Sequence, residues 1–231
     1  MDAFALIDWD NLSEAKQQLG LASIGKDLFK IANDLDPSFD NLRIRCYGGW
    51  YGYLGLTNKG TALSQTIRNE FPISRTRDGK RITYIQAELV SSPLELPKTM
   101  FDKTFRKRQG LPKILQESFT CPQPAQCSVK KLVSWSFNKR CPEAGCTVVA
   151  DAAFFRHEQK LGDTLLATDL LSLPHSHKNP TILVASDDDD VVPPMLVACH
   201  WGAPICYLRE SGSVGAYAPQ VAASPVLTQS W

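Results

Sequence analysis

Four consecutive carboxylates are the most distinctive chemical feature of this sequence. Residues 187–190 are all Asp, and they follow the apolar run at residues 182–185, which is too short for a helix and typical of a buried strand. Carboxylates at a strand end in an open α/β sheet lie at the crevice where ligands bind. Because adjacent carboxylates repel one another, a divalent cation such as Mg²⁺ is their natural partner. The alternative is a solvated acidic turn that complements the dipole of the next helix.

A similar arrangement occurs at the start of the chain, where Asp8 directly follows the apolar run at residues 3–7. In a parallel sheet the carboxyl ends of neighbouring strands meet at one edge. Asp8 and residues 187–190 are therefore expected to converge, although about 180 positions separate them. The neighbouring Asp10 has a simpler alternative, which is to cap the helix that follows.

Strands that alternate with helices predict a mostly parallel sheet with helices on both faces. Strands are predicted at residues 3–7, 42–47, 71–73, 81–87, 181–186 and 204–208, and helices after Ser13, at residues 24–35, 61–69 and 154–173, and from residue 191 through 200. We therefore expect an α/β fold, a Rossmann-like three-layer α/β/α sandwich. Gly, Ser, Ala and Pro dominate after Arg209, so the last residues are expected to be extended or partly disordered.

Composition limits the class of protein. The 231 residues are 43% hydrophobic, enough for one large α/β domain or one domain that carries an insertion. The formal net charge of +1 gives no overall attraction to nucleic acid or membrane, so any basic surface has to be local. Without a signal peptide or a long apolar run, we expect a cytoplasmic protein that does not enter a membrane. Residues 1–90 and 150–210 are predicted to form the domain, with an insertion at 91–149 and a tail at 211–231.

Three motifs in this order resemble the NYN domain family, a branch of the PIN-like nucleases. They are Asp8-Trp9-Asp10-Asn11 after the first strand, Lys160-Leu161-Gly162-Asp163 at the start of a helix, and Ser186-Asp187-Asp188-Asp189-Asp190-Val191-Val192-Pro193 after a late strand. In this register Asp188 and Asp190 occupy the family's acidic positions, and a one-residue slip would select their neighbours instead. Val191 stands where the family has an aromatic residue. The resemblance covers roughly residues 1–85 and 150–210.

The resemblance implies a PIN-like fold and a metal-dependent endoribonuclease that hydrolyses single-stranded or structured RNA with Mg²⁺ or Mn²⁺. The implied site consists of Asp8, Asp163 and Asp188 as primary metal ligands, Asp190 as an assisting acid and Asn11 as a polar positioning residue. Clustered carboxylates alone repel the phosphate backbone. With a divalent ion they activate water and stabilise the phosphoryl group.

Alternatives stay open for single residues and for the function. Asp163 could instead complement a helix dipole, and Lys160 either contacts phosphate or is a solvated helix residue. Asp169 lies about 240° round the helix from Asp163 and is expected to be structural or to support the site without binding the metal itself. The chain could also be a non-catalytic RNA-binding protein with the same fold or, less in keeping with its motifs, a phosphatase-like hydrolase.

A basic segment in the insertion is the candidate RNA-binding surface. Residues 98–113 contain six Lys or Arg and a single acid. The residues assigned to nucleic-acid binding are Lys103, Arg106, Lys107 and Arg108, together with Lys160 of the main domain. Phe101 and Phe105 interleave with them, and aromatic rings among basic side chains suit single-stranded RNA. The alternative is a solvated helix that the two Phe dock on the domain.

Four cysteines lie within 26 positions of the insertion, at Cys121, Cys127, Cys141 and Cys146. Their spacing is looser than that of the paired Cys-x-x-Cys of a zinc ribbon. Pro or Gly between the members of each pair favours tight turns, and disulfides are rare in cytoplasmic proteins. One prediction is therefore a structural Zn²⁺ that folds the insertion, and the other is free or partly disulfide-paired thiols.

Overall fold

The computed structural model describes residues 2–52, 55–77, 81–101, 105–109, 121–159, 161–211 and 215–231. The helices and strands in chain order are β1 (Asp2–Asp8), α1 (Glu14–Gln18), α2 (Leu21–Leu35), β2 (Asn41–Tyr47), β3 (Tyr51–Gly52), β4 (Gly55–Leu56), α3 (Asn58–Glu70), β5 (Ile73–Arg77), β6 (Arg81–Leu89), β7 (Phe105–Gln109), α4 (Ser128–Asn138), α5 (Ala150–Ala153), β8 (Phe155–Gln159), α6 (Gly162–Ser176), β9 (Thr181–Ala185), α7 (Val192–His200), β10 (Ile205–Arg209), α8 (Ala218–Ala222) and β11 (Leu227–Ser230). The chain forms two compact units, Met1–Thr104 with Gln159–Trp231 and Phe105–Glu158.

The first unit is built on a seven-stranded sheet in the order β11-β10-β9-β1-β2-β6-β5. Strand β5 runs antiparallel to β6, and every other neighbouring pair is parallel. Strand β1 lies at the centre, between β2 and β9. The prediction of an α/β fold with a mostly parallel central sheet is confirmed.

Alternate residues of β1 show how the helices cover both faces of this sheet. Ala3 and Ala5 belong to one buried cluster, which includes apolar residues of α2 and Leu63 of α3. Phe4 and Leu6 belong to a second buried cluster with apolar residues of α6 and α7. Because successive side chains of a strand point to opposite faces, the sheet has a core on each side. This architecture is consistent with a three-layer sandwich.

The second unit contains a two-stranded sheet of β7 and β8 together with α4 and α5. The rings of Trp135 and Phe154 pack edge to face, with centroids 4.7 Å apart. The helical alternative for the basic segment is wrong over Phe105–Gln109, because these residues form strand β7. Among the described residues, no helix combines the length and the apolar character needed to cross a bilayer.

The predicted helix at residues 154–173 is wrong in its first part. Phe155–Gln159 form strand β8, and α6 begins only at Gly162. The buried residues of α6 start at Leu165, and the earlier residues Phe155–Gln159 pair with β7 instead. Leu161, directly before α6, has a φ of 89°, a conformation that interrupts a helix.

The expectation of an extended or partly disordered tail is also corrected. Gly215–Tyr217 form a 3₁₀ turn, α8 follows, and β11 pairs in parallel with β10 as the edge of the main sheet. Val221 and Val226 are buried against the α6 and α7 side. The segment is rich in Gly, Ser and Ala, but a few apolar residues are sufficient to order it. The edge of β10 that would otherwise be open supplies its backbone hydrogen bonds.

Gly60 in the first turn of α3 gives a test of this packing. A Cβ atom at this position would lie 2.7 Å from the backbone oxygen of Trp50, which cannot move without displacing its loop. Gly60→Ala is therefore expected to destabilise the protein by about 1–3 kcal/mol in urea unfolding, although Ala is the better helix former.

The exposed Ala62, two residues further along α3, provides the matched control. Here the ordinary helix preference should hold, and Ala62→Gly is expected to cost about 1 kcal/mol. A stabilising Gly60→Ala would show that the loop at Trp50 adjusts freely.

Candidate functional site at the carboxyl edge of the sheet

The site is organised by the neighbouring strands β1 and β9. Ile7 pairs with Ala185 in the parallel register, so the next residues, Asp8 and Ser186, leave the sheet side by side. The Ser186 hydroxyl donates a hydrogen bond of 2.9 Å to Oδ2 of Asp8. Two residues that lie 178 positions apart in sequence are thus in direct contact at the carboxyl edge.

Asn11 joins the two acidic segments. Its Nδ2 donates to Oδ2 of Asp8 at 2.5 Å and reaches Oδ2 of Asp188 at 3.4 Å. The 3₁₀ turn Trp9–Asn11 that follows β1 places Asn11 in this position. Asp188 is fixed from its own side, because its N–H donates to the Ser186 hydroxyl and its Oδ1 accepts from the N–H of Asp190, both at 3.0 Å. One amide side chain therefore connects carboxylates from the two ends of the chain.

Burial makes Asp8 an unusual carboxyl group. The residue is 4% exposed, and burial raises its pKa to about 6. Hydrogen bonds from Asn11 and Ser186 oppose this shift, whereas the charges of Asp163 and Asp10 add to it. The neighbouring carboxylates thus make the electrostatic potential at Asp8 negative. A cation in this position would favour the ionised form of Asp8.

Two further predicted acids lie at the same edge. Asp163 is exposed in the first turn of α6 and is close enough to raise the pKa of Asp8 through its charge. Asp190 is exposed in the 3₁₀ turn Asp189–Val191. The predicted phosphate contact Lys160 lies outside the described residues.

Asp10 does not cap the following helix, so that alternative is wrong. Ser13 is the N-cap of α1 and accepts from the N–H of Lys16. Asp10 instead accepts from the N–H of Gly49 at 2.8 Å and forms an ion pair with Lys59. It ties the loop after β2 and the start of α3 to the turn after β1.

Arg209 at the end of β10 is a residue that the sequence reasoning missed. It is 7% exposed, and its guanidinium donates to Oδ1 of Asp189 at 2.9 Å and to the backbone oxygen of Asp187 at 2.6 Å. Its Nε lies 3.4 Å from Oδ1 of Asp187. The hydrogen bonds from Arg209 and from the N–H of Ala216 lower the pKa of Asp189. An arginine directly after an apolar strand was the available signal.

A second buried arginine, Arg45, was also missed. The sequence predicted only a strand at residues 42–47, and the structure shows that Arg45 in it is buried and that its Nε donates to Oδ2 of Asp169 at 2.9 Å. Asp169 also accepts from the Tyr47 hydroxyl at 2.6 Å and from the N–H of Leu94 at 2.7 Å. Glu88 forms a further ion pair with Arg45. These contacts agree with the expectation of a structural Asp169.

The predicted metal ligands do not form a complete coordination site in this structure. In the part of the chain that the structure describes, no group of three or more His, Cys, Asp or Glu side chains is placed to hold a metal ion. Asp8 and Asp188 are linked through an amide and Asp163 acts on Asp8 through its charge. The donor set is nevertheless all oxygen, which is the chemistry that Mg²⁺ and Mn²⁺ prefer.

The predicted RNA-binding residues are described only in part. Lys103 lies outside the described residues, and Arg106, Lys107 and Arg108 lie on β7. The ammonium group of the exposed Lys107 is 4.4 Å from the centroid of the Phe155 ring, a cation–π distance within the second unit.

The four clustered cysteines form no disulfide. The backbone N–H of Lys130 lowers the pKa of the Cys127 thiol, and the Cys121 thiol, within hydrogen-bond reach, adds a smaller contribution. Cys127 directly precedes α4. Lys131, in the first turn of α4, forms an ion pair with Glu143. Glu143 belongs to the turn between Cys141 and Cys146, so this turn is linked to the start of α4.

Comparisons with protein-family models, with curated proteins and with solved structures found no match for this chain.

Proposed function

We propose that this chain is a ribonuclease that hydrolyses RNA phosphodiester bonds with Mg²⁺ or Mn²⁺, on a domain similar to the NYN branch of the PIN-like nucleases. The observation that carries the proposal is the contact of one amide, that of Asn11, with the carboxylates of Asp8 and Asp188. These two residues belong to different motifs of the family pattern. Asp163, from the remaining motif, Lys160-Leu161-Gly162-Asp163, acts on Asp8 through its charge.

The electrostatics of the site support a bound cation. Ionised Asp8 is buried beside other carboxylates, and the hydrogen bonds from Asn11 and Ser186 offset this only in part, so a cation at this position would stabilise the ionised form. In the proposal Asp8, Asp163 and Asp188 hold the ion, with Asp190 assisting directly or through water. The exposure of Asp163 and Asp190 leaves room for them to turn towards the ion when it binds.

The polar groups around Asp8 have defined tasks in this proposal. When bound, the ion supplies an activated water and offsets the charge that develops on the phosphoryl oxygens. Ser186 and Asn11 fix the orientation of the Asp8 carboxylate through two hydrogen bonds to one oxygen. Asn11 keeps Asp188 opposite Asp8. Carboxylates held in advance in this way need little rearrangement when charge develops.

A cleavage assay with matched acids tests the proposal. Single-stranded and structured RNAs are incubated with Mg²⁺ or Mn²⁺ and the wild-type protein, the Asp8→Asn variant or the Asp34→Asn variant. Asp34 is an exposed acid on α2 and serves as the control. The wild type and Asp34→Asn are expected to cleave, whereas Asp8→Asn should lose at least about 100-fold in rate, and EDTA should stop cleavage.

The remaining outcomes identify the other functions. Binding of RNA without cleavage by any of the three proteins supports a non-catalytic RNA-binding protein. Equal cleavage by the wild type and Asp8→Asn points to a contaminating nuclease and contradicts the assignment. Release of phosphate from small phosphate monoesters, lost in Asp8→Asn, would favour a phosphatase-like hydrolase.

Structural zinc in the second unit is a separate part of the proposal. The neighbouring thiols of Cys121 and Cys127 supply two ligands, and the turn between Cys141 and Cys146 is tied to the same end of α4 through Glu143. The lowered pKa of Cys127 favours the thiolate that Zn²⁺ binds.

Metal analysis of the full chain checks the zinc proposal. Protein purified without chelator is expected to contain about one zinc per chain, and Cys127→Ser should lose most of it. Cys199→Ser, which alters a buried cysteine of α7, should retain the metal. Substoichiometric zinc in the wild type contradicts the proposal.

A further inference from the structure

The four Asp of residues 187–190 do not share one environment. Asp187 and Asp189 both face Arg209, with Oδ1 atoms at 3.4 Å and 2.9 Å from its guanidinium nitrogens. Asp188 makes its side-chain contacts with Asn11 and with the N–H of Asp190. Asp187 and Asp189 thus face the buried Arg209, whereas Asp188 between them faces Asn11.

The backbone explains this division. Asp188 has φ −83° and ψ 133°, an extended conformation, and successive side chains of an extended chain point to opposite sides. Asp187 and Asp189 therefore share one side, and Asp188 faces the other. If the run of Asp residues were shifted by one position, Asp187 and Asp189 would take the place of Asp188. The sequence motif alone leaves this choice of register open.

Several contacts hold this register. Oδ1 of Asp187 accepts from the N–H of Glu210 at 3.1 Å, and Oδ2 of Asp189 accepts from the N–H of Ala216 at 3.1 Å. Gly215 makes room for the second contact, because a Cβ there would lie 2.4 Å from Asp189. Arg209 is the centre of the arrangement, since it contacts both acidic residues and lies buried beneath them.

We propose that Arg209 is a positioning residue for the acidic site: it holds Asp187 and Asp189 on the far side of the loop and so directs Asp188 towards Asp8 and the metal. The inference rests on the proposed function, because it assigns the ligand register of that same site. It also assigns a role to β10, a strand that contributes no residue to the motifs. Without Arg209, two unneutralised carboxylates compete with Asp188 for the ion, and the loop loses its orientation.

A calorimetric titration with Mn²⁺ alone, on the full chain, measures this effect. Arg209→Gln is expected to weaken Mn²⁺ binding by about 10- to 100-fold, the range found when residues that orient metal ligands are lost. Arg209→Lys, which keeps the charge but not the fork of donors, should recover part of the affinity. In cleavage assays the loss should fall on kcat more than on the KM for RNA, because Arg209 does not contact the substrate.

Two sets of variants separate positioning from a merely structural role. Arg45→Gln removes another buried arginine of the same sheet and should lower the unfolding midpoint without changing Mn²⁺ affinity. Within the run of Asp residues, Asp188→Asn should abolish Mn²⁺ binding, whereas Asp187→Asn and Asp189→Asn should each change it less than about fivefold, the effect of a partly exposed charge.

The outcomes distinguish this inference from the proposed function. If Arg209→Gln binds Mn²⁺ like the wild type, or if Asp187→Asn costs as much as Asp188→Asn, the Arg209 assignment is wrong while the nuclease proposal stands. If the wild type itself neither binds Mn²⁺ nor cleaves RNA, both are wrong. If Arg209→Gln does not fold, the three Asp variants and Arg209→Lys still decide the register.

Discussion

Asp169→Ala is expected to lower the free energy of unfolding by about 3–5 kcal/mol. The carboxylate is fully buried and accepts from the Arg45 guanidinium, the Tyr47 hydroxyl and the N–H of Leu94. Removing it leaves the buried Arg45 guanidinium, the buried Tyr47 hydroxyl and the partly buried Leu94 N–H without this acceptor, and one of these donors carries a charge. Because single domains are stable by only about 5–15 kcal/mol, a loss of this size is a large fraction of the total.

A second arginine of the same strand provides the control for this prediction. Arg43, two residues before Arg45 on β2, forms an ion pair with Asp2 at 2.8 Å, but its side chain is 45% exposed. Arg43→Gln is expected to cost at most about 1 kcal/mol, whereas Arg45→Gln should approach the loss of Asp169→Ala. Urea unfolding followed by far-UV circular dichroism and tryptophan fluorescence measures all three. A loss for Asp169→Ala no greater than for Arg43→Gln would show that water or Glu88 replaces the buried contact.

The central sheet could be predicted from the sequence because its strands carry a strong local signal. The apolar runs inside β1 and β9 are short; Asp8 directly follows the first, and Ser186 and then four Asp residues follow the second. The rule that parallel strands share a carboxyl edge then placed Asp8 near Asp188, and the structure brings both to Asn11. Periodicity and topology were sufficient for this part of the site.

Other features depend on tertiary contacts that no local pattern encodes. The residues of β8 are paired with β7, and β11 exists because β10 offers an open edge, so propensity alone misassigned both segments. Arg209 was missed for a related reason. The position of Arg209 directly after an apolar run was visible in the sequence, but its burial beside the Asp residues that follow β9 depends on the pairing of β10 with β9. The resemblance assigned Asp188 but left a slip of one residue open, and the side of the loop on which each Asp lies follows only from the backbone angles.

Asp8→Asn is expected to stabilise the metal-free protein above about pH 6 by about 3 kcal/mol. Folding raises the pKa of Asp8 from its ordinary value of 3.8 to about 6, and a tenfold change in proton affinity corresponds to about 1.4 kcal/mol. An acid whose pKa is raised by folding favours the folded state while it is protonated. That contribution is complete below about pH 4 and is lost as the pH rises through about 6.

The Asn substitution preserves the local contacts, which makes this a clean comparison. Both Asn11 and Ser186 donate to Oδ2 of Asp8, and the amide oxygen of an Asn can accept from both in the same position. Stability is measured by urea unfolding in EDTA at pH 4 and at pH 8, and only the difference between wild type and variant is used. The two proteins should agree at pH 4 and diverge at pH 8, whereas the exposed control Asp34→Asn should follow the wild type at both.

Added Mn²⁺ connects this stability effect to function. An ion held by Asp8 replaces the proton, so it should raise the unfolding midpoint of the wild type at pH 8 and leave that of Asp8→Asn nearly unchanged. The same substitution would then stabilise the metal-free fold and remove the activity, as expected when a carboxylate is retained for chemistry at a cost in stability. If Asp8→Asn is instead less stable than the wild type at pH 8 in EDTA, ionised Asp8 is accommodated by the chain alone and the argument for a cation there is lost.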